Sequence, residues 1–194
     1  MNTNRFTFVT GEEKSTVERK KELRRYMKQR RANNENRDVK EENMIHAFFE
    51  QGFGEYERYF VYLSFSSEAK TERLIEELLA KGKKVYCPRI EDGKMQAVEY
   101  GDDFSLSDYG IREPVGETYQ GEIDVIVAPL LAVDHTGTRL GYGGGYYDKF
   151  IAKHDGAKTV GWCYDFQVVE KDLPKDEWDR RLDALITDLR TIKF

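Results

Sequence analysis

Residues 124–133, DVIVAPLLAV, constrain the fold more than any other part of the chain. Apart from Asp124 and Pro129 every residue there is apolar. A strand wetted on one face alternates polar and apolar residues. An unbroken apolar run instead predicts a strand covered on both faces, the environment of a largely parallel sheet. Pro129 has no N–H to give to a neighbouring strand, so regular pairing should end there. Soon afterwards comes the densest cluster of glycines in the sequence, RLGYGGGYYD at 139–148.

The rest of the chain alternates helical and extended patterns. A helix is expected over 15–33, with Ser15 or Thr16 as N-cap and a thin apolar stripe of Val17, Leu23 and Met27. A second is expected over 39–51, burying Ile45, Phe48 and Phe49 and ended by Gly52 and Gly54. Residues 58–65, RYFVYLSF, read as a strand. A third helix should start at Ser66 or Ser67, bury Leu74, Ile75, Leu78 and Leu79, and stop at Gly82. Residues 84–90 give the next strand, and Asp92-Gly93 is a hairpin signal that folds 95–100 back antiparallel. Residues 101–121 read as a long connection, 146–154 as a short helix, 159–164 as a strand, and 185–187 as a last strand. This alternation predicts one α/β domain, a three-layer α/β/α sandwich with a mostly parallel sheet and an inserted antiparallel hairpin. Residues 1–14 are polar and without periodicity, and are expected to form a disordered tail.

A chain of 194 residues, 39% hydrophobic, can bury a core of that size. Its net charge of -5 argues against a protein that coats nucleic acid. The basic residues are nevertheless concentrated in the first helix: Arg19, Lys20, Lys21, Arg24, Arg25, Lys28, Arg30 and Arg31. Lys20, Arg24 and Lys28 recur every fourth residue and project from one side, where like charges repel. That stripe is either a solvated surface face or an anion clamp. Cys87 and Cys163 form no CxxC motif and read as buried free thiols in a reducing compartment. His46, His135 and His154 match no metal spacing. No stretch has the apolar length of a signal peptide, nor the roughly 20 residues of a membrane span. A cytoplasmic, monomeric protein with small-molecule partners is therefore expected, without nucleic acid or membrane.

The glycine-rich loop carries the chemistry. It lies where the best strand ends and a helix begins, the place where open α/β sheets take ligands. Gly141, Gly143, Gly144 and Gly145 let backbone N–H groups approach an anion, and the helix N-terminus adds unpaired donors. Arg139 can neutralise phosphate bidentately. The loop is neither a Walker loop, since Tyr146 follows Gly145 where Lys is required, nor a dinucleotide fingerprint, which needs glycine at 146. Asp148, on the first helical turn, suits the helix dipole and could also hold a Mg²⁺ that bridges phosphates. Asp179 or Asp183, in WDRRLD, could supply a second carboxylate.

RLGYGGGYYD after VIVAPLLAVD resembles the signature of the 5-formyltetrahydrofolate cyclo-ligase family, also called 5,10-methenyltetrahydrofolate synthetases. Further segments resemble the same family: KKELRRYMKQRR (20–31), YLSFSSEAKTERLIEELLAKGKKVYCPRI (62–90), YGIREP (109–114) and DRRLDALITD (179–188). The resemblance implies a Mg²⁺-dependent reaction in which ATP and 5-formyltetrahydrofolate give 5,10-methenyltetrahydrofolate, ADP and phosphate through a phosphorylated formyl group, an iminium phosphate. Carried over by motif, it implies ATP contacts from Lys20, Lys21, Glu22, Leu23 and Arg24. Further ATP contacts would come from Arg139, Leu140, Gly141, Tyr142, Gly143, Gly144, Gly145, Tyr146 and Tyr147. Folate contacts would come from Leu63 and Glu68 and from Tyr142, Gly143, Gly144, Gly145 and Tyr146. Arg139 and Lys20 would serve catalysis, and Asp148 and Asp179 would hold Mg²⁺. Tyr142 and Tyr109 depart from residues common in the family. Other readings are a non-catalytic folate or nucleotide binder and a nucleic-acid binder using the basic helix.

Overall fold

The computed structural model describes residues 15–107 and 110–194. The expected tail at 1–14 and Tyr109 lie outside the described residues. In chain order the elements are α1 (Thr16–Ala32), α2 (Arg37–Glu50), β1 (Arg58–Val61), α3 (Glu72–Ala80), β2 (Lys84–Glu91), β3 (Lys94–Glu99), β4 (Phe104–Leu106), β5 (Arg112–Pro114), β6 (Thr118–Tyr119), β7 (Val125–Pro129), β8 (Ala132–Val133), β9 (Arg139–Leu140), α4 (Tyr146–Lys153), β10 (Lys158–Trp162), β11 (Ala184–Ile186) and β12 (Thr191–Lys193).

Eight strands form one sheet in the order β12-β11-β10-β7-β1-β2-β3-β6. The five from β11 to β2 are parallel, and β12, β3 and β6 pair antiparallel at the edges. The strand alternation sends side chains to opposite faces and defines two cores. Tyr59, Val61, Val125, Val127, Val160 and Trp162 pack on one face against Met44, Ile45 and Phe48 of α2 and Leu74, Ile75 and Leu78 of α3. Phe60, Ile126, Ala128 and Leu185 pack on the other against Phe150 and Ile151 of α4. Each such fully buried side chain contributes roughly 1.5–3 kcal/mol, so β7, buried at every position, is the central seam of the three layers. This is the expected α/β architecture, with the β2–β3 hairpin turning at Asp92-Gly93.

Helix α1 does not lie on the sheet. Leu23 and Met27 pack on Leu131, Ala132 and Leu140, that is, on the two-stranded ribbon β8–β9. The expected run 124–133 is therefore two strands. It leaves the sheet at Pro129, as its missing N–H predicts, and Ala132–Val133 pairs instead with Arg139–Leu140. Several other expectations are corrected. The strand expected over 58–65 ends at Val61, and α3 starts at Glu72 rather than at Ser66 or Ser67. The ten residues between form a loop whose backbone groups bond to side chains. Residues 101–121 carry the short strands β4, β5 and β6, and β12 follows the strand expected to be last. Val17 and Leu79 are exposed because the narrow buried stripes of α1 and α3 do not reach them. Helix α2 begins two residues early, at Arg37. The N-cap of α1 is Ser15, in a capping box with Glu18.

The strand order has one reversal. From β1 the chain builds outward through β2, β3 and β6; from β7 it builds the other way through β10, β11 and β12. The crevice outside the carboxyl ends of β1 and β7 is thus the topological switch point.

Candidate functional site

Two loops meet at that crevice. One follows β1 and spans 62–71; the other spans 141–145, between β9 and α4. The glycines of the second loop are there for different reasons. Gly143 (φ +103°) and Gly145 (φ +67°) hold left-handed backbone that a side chain would strain. A Cβ on Gly144 would come within 2.8 Å of the Tyr146 ring. Gly145 is the N-cap of α4 and offers no side chain to the first-turn N–H groups, which leaves a helix end suited to an anion.

Helix α1 brings its cations to this loop. Arg24 Nε donates to the Gly141 carbonyl at 2.9 Å, and its guanidinium lies against Gly143. Lys28 and Arg31 sit 5.2 and 5.6 Å from the centroid of the Tyr142 ring. Lys20, one turn earlier, pairs with Asp176 at 2.9 Å and Asp179 at 3.3 Å. Asp176 is largely exposed, and pairs of that kind contribute about 0–1 kcal/mol, too little to hold Lys20 against a phosphate. Lys20 and Arg24 thus lie on the side of α1 that faces the glycine loop and the 176–180 segment. Leu23 is buried beneath the loop, Glu22 is half-buried, and Lys21 is exposed on the far side.

Arg139 and Asp148 form the inner wall. The Arg139 guanidinium donates to Asp148 Oδ1 at 3.0 Å, and the Arg180 N–H donates to the same oxygen at 3.1 Å. Asp179 is the neighbour of Arg180 in sequence, so the 176–180 segment brings both expected metal carboxylates to one region. Asp179 Oδ2 accepts from Lys20 and from the Asp176 N–H. Among the described residues, Asp148 Oδ2 and Asp179 Oδ1 take no hydrogen bond, so each carboxylate keeps an oxygen for a cation. That fits Mg²⁺, which takes one or two carboxylates and completes its shell with phosphate oxygens and water. Asp183 lies elsewhere. Its Oδ2 accepts from the Thr159 N–H at 2.7 Å, at the start of β10, the end of the parallel sheet opposite the crevice.

Across the crevice stands Glu68, buried in the first loop. Its Oε2 accepts from the Phe65 N–H at 2.9 Å, and the Tyr142 hydroxyl of the opposite loop is close enough to interact with it electrostatically. Burial raises the Glu68 carboxyl above the ordinary range, against the lowering by Tyr142, Phe65 and Arg31. The Tyr142 hydroxyl also receives a 2.6 Å hydrogen bond from Arg31, and burial and Glu68 raise its pKa. Arg31, Tyr142 and Glu68 thus form a chain that joins helix, glycine loop and β1 loop. Leu63 is buried on the same side. Tyr146 is half-buried beside Gly144, and Tyr147 lies between Arg139 and Phe60, 5.6 and 6.2 Å from them.

Three buried polar atoms in this region have no partner among the described residues: Arg31 Nε, Arg139 Nε and the Tyr147 hydroxyl. A buried polar group without a partner costs on the order of 1–3 kcal/mol. All three belong to residues packed around the glycine loop. Arg31 closes the 20–31 segment that resembles the family but is not among the contacts that the resemblance implies. Arg37, Glu41 and Tyr164, which reach the first loop from α2 and from the end of β10, give no signal in the sequence at all.

The sequence matches the 5-formyltetrahydrofolate cyclo-ligase family over residues 16–188. It is similar to the 5-formyltetrahydrofolate cyclo-ligase of Escherichia coli (strain K12), 38% identical over 138 residues, which cover 66% of this chain and 75% of that one. The structure is similar to the NMR structure of Aquifex aeolicus 5,10-methenyltetrahydrofolate synthetase, with a TM-score of 0.79 and 31% identity over 90% of this chain and 92% of that one. A likeness in fold alone extends to a 5,10-methenyltetrahydrofolate synthetase from Mycoplasma pneumoniae, at a TM-score of 0.68 and 20% identity, covering 87% of this chain and 98% of the other.

Proposed function

The chain belongs to the 5-formyltetrahydrofolate cyclo-ligase family, and from that premise we propose that it converts 5-formyltetrahydrofolate to 5,10-methenyltetrahydrofolate, using ATP and Mg²⁺ and releasing ADP and phosphate. The observation that carries the reading is the apposition of a phosphate-type loop and a buried carboxylate, bridged by Tyr142, at one switch point.

The chemistry explains why cations and an acceptor are needed together. A formamide oxygen is a poor leaving group. In the proposed reaction it attacks the γ-phosphorus, and the bond to the departing ADP oxygen breaks. N10 then adds to the formyl carbon and loses its proton. The carbon–oxygen bond to phosphate breaks last, leaving the methenyl bridge. Such transfers are catalysed mainly by positioning and by stabilising charge. Arg139, Arg24 and Lys20 would stabilise the phosphate charge, with the N–H groups of the loop and of the α4 N-terminus. Glu68 would accept N–H donors of the pterin, beside the apolar surface of Leu63, and Tyr146 would pack on the folate from the glycine loop. Asp148 and Asp179 would hold Mg²⁺, which supplies charge neutralisation on the phosphates. A nucleophilic side chain is not required, and burial raises the thiols of Cys87 and Cys163 far from the reactive range.

Incubation with ATP, Mg²⁺ and 5-formyltetrahydrofolate should produce the near-ultraviolet absorption of the methenyl product. Folded protein that binds both substrates without forming that band would make the chain a binding module instead. Asp148→Asn should raise the Mg²⁺ concentration for half-maximal rate about tenfold or more. An unchanged metal dependence would remove Asp148 from the metal site.

A further inference from the structure

We propose that Arg37 and Glu41 of α2, joined through Tyr164, are positioning residues that hold the β1 loop so that Glu68 meets the folate. The inference rests on the function proposed above and adds residues that the family motif does not include.

The β1 loop has little regular structure of its own, and Ser66 sits at φ +57°. Left to itself, a loop of this kind would sample many conformations. Here its backbone is tied by side chains at successive positions. Arg37 donates through Nη2 to the Glu68 carbonyl. The Tyr62 hydroxyl donates to the Ala69 carbonyl at 2.6 Å. The Lys70 N–H donates to Glu41 Oε1 at 3.0 Å, and the Lys70 carbonyl accepts from Trp162 Nε1 at 3.2 Å. Both backbone groups of Lys70 and the carbonyl of Glu68 itself are therefore fixed from outside the loop.

Arg37 and Glu41 are themselves held. Arg37 Nε donates to the Tyr164 hydroxyl at 2.8 Å, and that hydroxyl donates to Glu41 Oε1 at 2.6 Å. Tyr164 is fully buried and Glu41 is 6% exposed. Helix stability does not explain the arrangement. Arg37 is the first residue of α2, where a cation opposes the helix dipole. Its i,i+4 pairing with Glu41 also places the cation before the anion, the weaker order. Local rules broken at a buried, hydrogen-bonded site are the signature of a constraint from outside the helix. The constraint visible here is the backbone of Glu68 and Lys70. None of the three side chains is part of the phosphate loop, so their effect should fall on folate and not on ATP.

The test is steady-state kinetics on Arg37→Met, Arg37→Lys and Tyr164→Phe, with thermal midpoints. Arg37→Met should raise the KM for 5-formyltetrahydrofolate about tenfold and leave the KM for ATP within twofold. Arg37→Lys, which keeps the charge, should recover part of the loss. If Arg37→Met lowers the thermal midpoint, Tyr164→Phe decides, since it keeps the ring in the core and removes only the hydroxyl. An unchanged folate KM, or folate and ATP KM rising in step, overturns the positioning role. Wild-type protein is measured first: failure to form the methenyl product overturns the proposed function, whereas active wild type with unaffected variants overturns only this inference.

Discussion

The two loops of the switch point are held in opposite ways. The β1 loop is buried or half-buried except at Phe65, Ser66 and Lys70, and its backbone is tied to side chains from α2 and β10 and to its own Tyr62. The glycine loop is exposed from Tyr142 to Gly145, and among the described residues its attachments are side chains of α1, Arg24 on Gly141 and Arg31 on Tyr142. A rigid loop suits a carboxylate that must meet fixed donors on a flat ring. A loop of bare backbone suits a charged group whose oxygens turn and exchange metal. On the function proposed above, the difference teaches that folding orders one half of the site and that ligand binding would order the other. Tyr142 is the one side chain of the glycine loop that reaches across to Glu68.

The comparison predicts which changes fall on which substrate. The largest effect belongs to Arg139, whose side chain is 4% exposed and whose Nε has no partner among the described residues. Arg139→Met should lower turnover about 10²–10³-fold, the loss typical of a charge-stabilising donor, with folate binding largely kept. If single-turnover measurements gave equal losses for folate binding and for turnover, the division of labour between the loops would be wrong. Tyr142→Phe comes next. It removes the bridge, so folate affinity should fall about tenfold, and the gain in folate affinity on adding ATP should shrink. Titrations with and without nucleotide measure this coupling directly. Coupling of wild-type size in the variant would mean that the loops act separately.

How much of this was legible in the sequence follows the same division. The glycine loop could be read because its constraints are local: glycines, a strand end and a helix start adjacent in sequence. Residues 125–129 were legible because burial on both faces leaves an unbroken apolar run, and Ser15 because its capping box with Glu18 closes within one turn. The β1 loop could not be read. RYFVYLSF has the composition of one strand, yet after Val61 its polar groups bond to residues 68–72, and the backbone of Glu68 and Lys70 is held by partners far away in the chain. Tyr164 lies 127 residues from Arg37, and Trp162 lies 92 from Lys70. Periodicity carries no information at such separations. Glu68 came from the family resemblance, while the side chains that hold its backbone came only from the fold.

A smaller effect concerns pH. Burial raises the Glu68 carboxyl, so the folded protein holds a proton there that the unfolded chain releases at lower pH. Stability must then fall as pH rises from the unfolded pKa through the raised folded one. The Glu68→Gln variant keeps an acceptor without the buried charge. Above that window it should melt about 3 °C higher than wild type, and the gap should close in acid. Such a variant would be more stable and worse at binding folate, which is the trade expected of a site residue. A midpoint difference independent of pH would mean that folding leaves the Glu68 carboxyl unshifted.

The smallest predicted effect separates neighbours on one helix. Lys20 and Lys21 both fall in the segment that the family resemblance assigns to ATP, but the helix turns them apart by about 100°. Lys20 reaches the Asp179 segment beside Arg139 and Asp148, whereas Lys21 is exposed and has no ion pair among the described residues. An isolated surface lysine contributes through a field screened over about 8 Å at physiological salt. Lys21→Ala should therefore change the KM for ATP by less than about twofold at physiological salt, against about tenfold for Lys20→Ala. Measuring both at low and high ionic strength sharpens the contrast. The Lys21 effect should disappear with salt, and the Lys20 effect should persist, since on the proposed function its partner would be a bound phosphate. Equal losses in the two variants would show that α1 acts as a diffuse basic field and not through the one face it turns to the glycine loop.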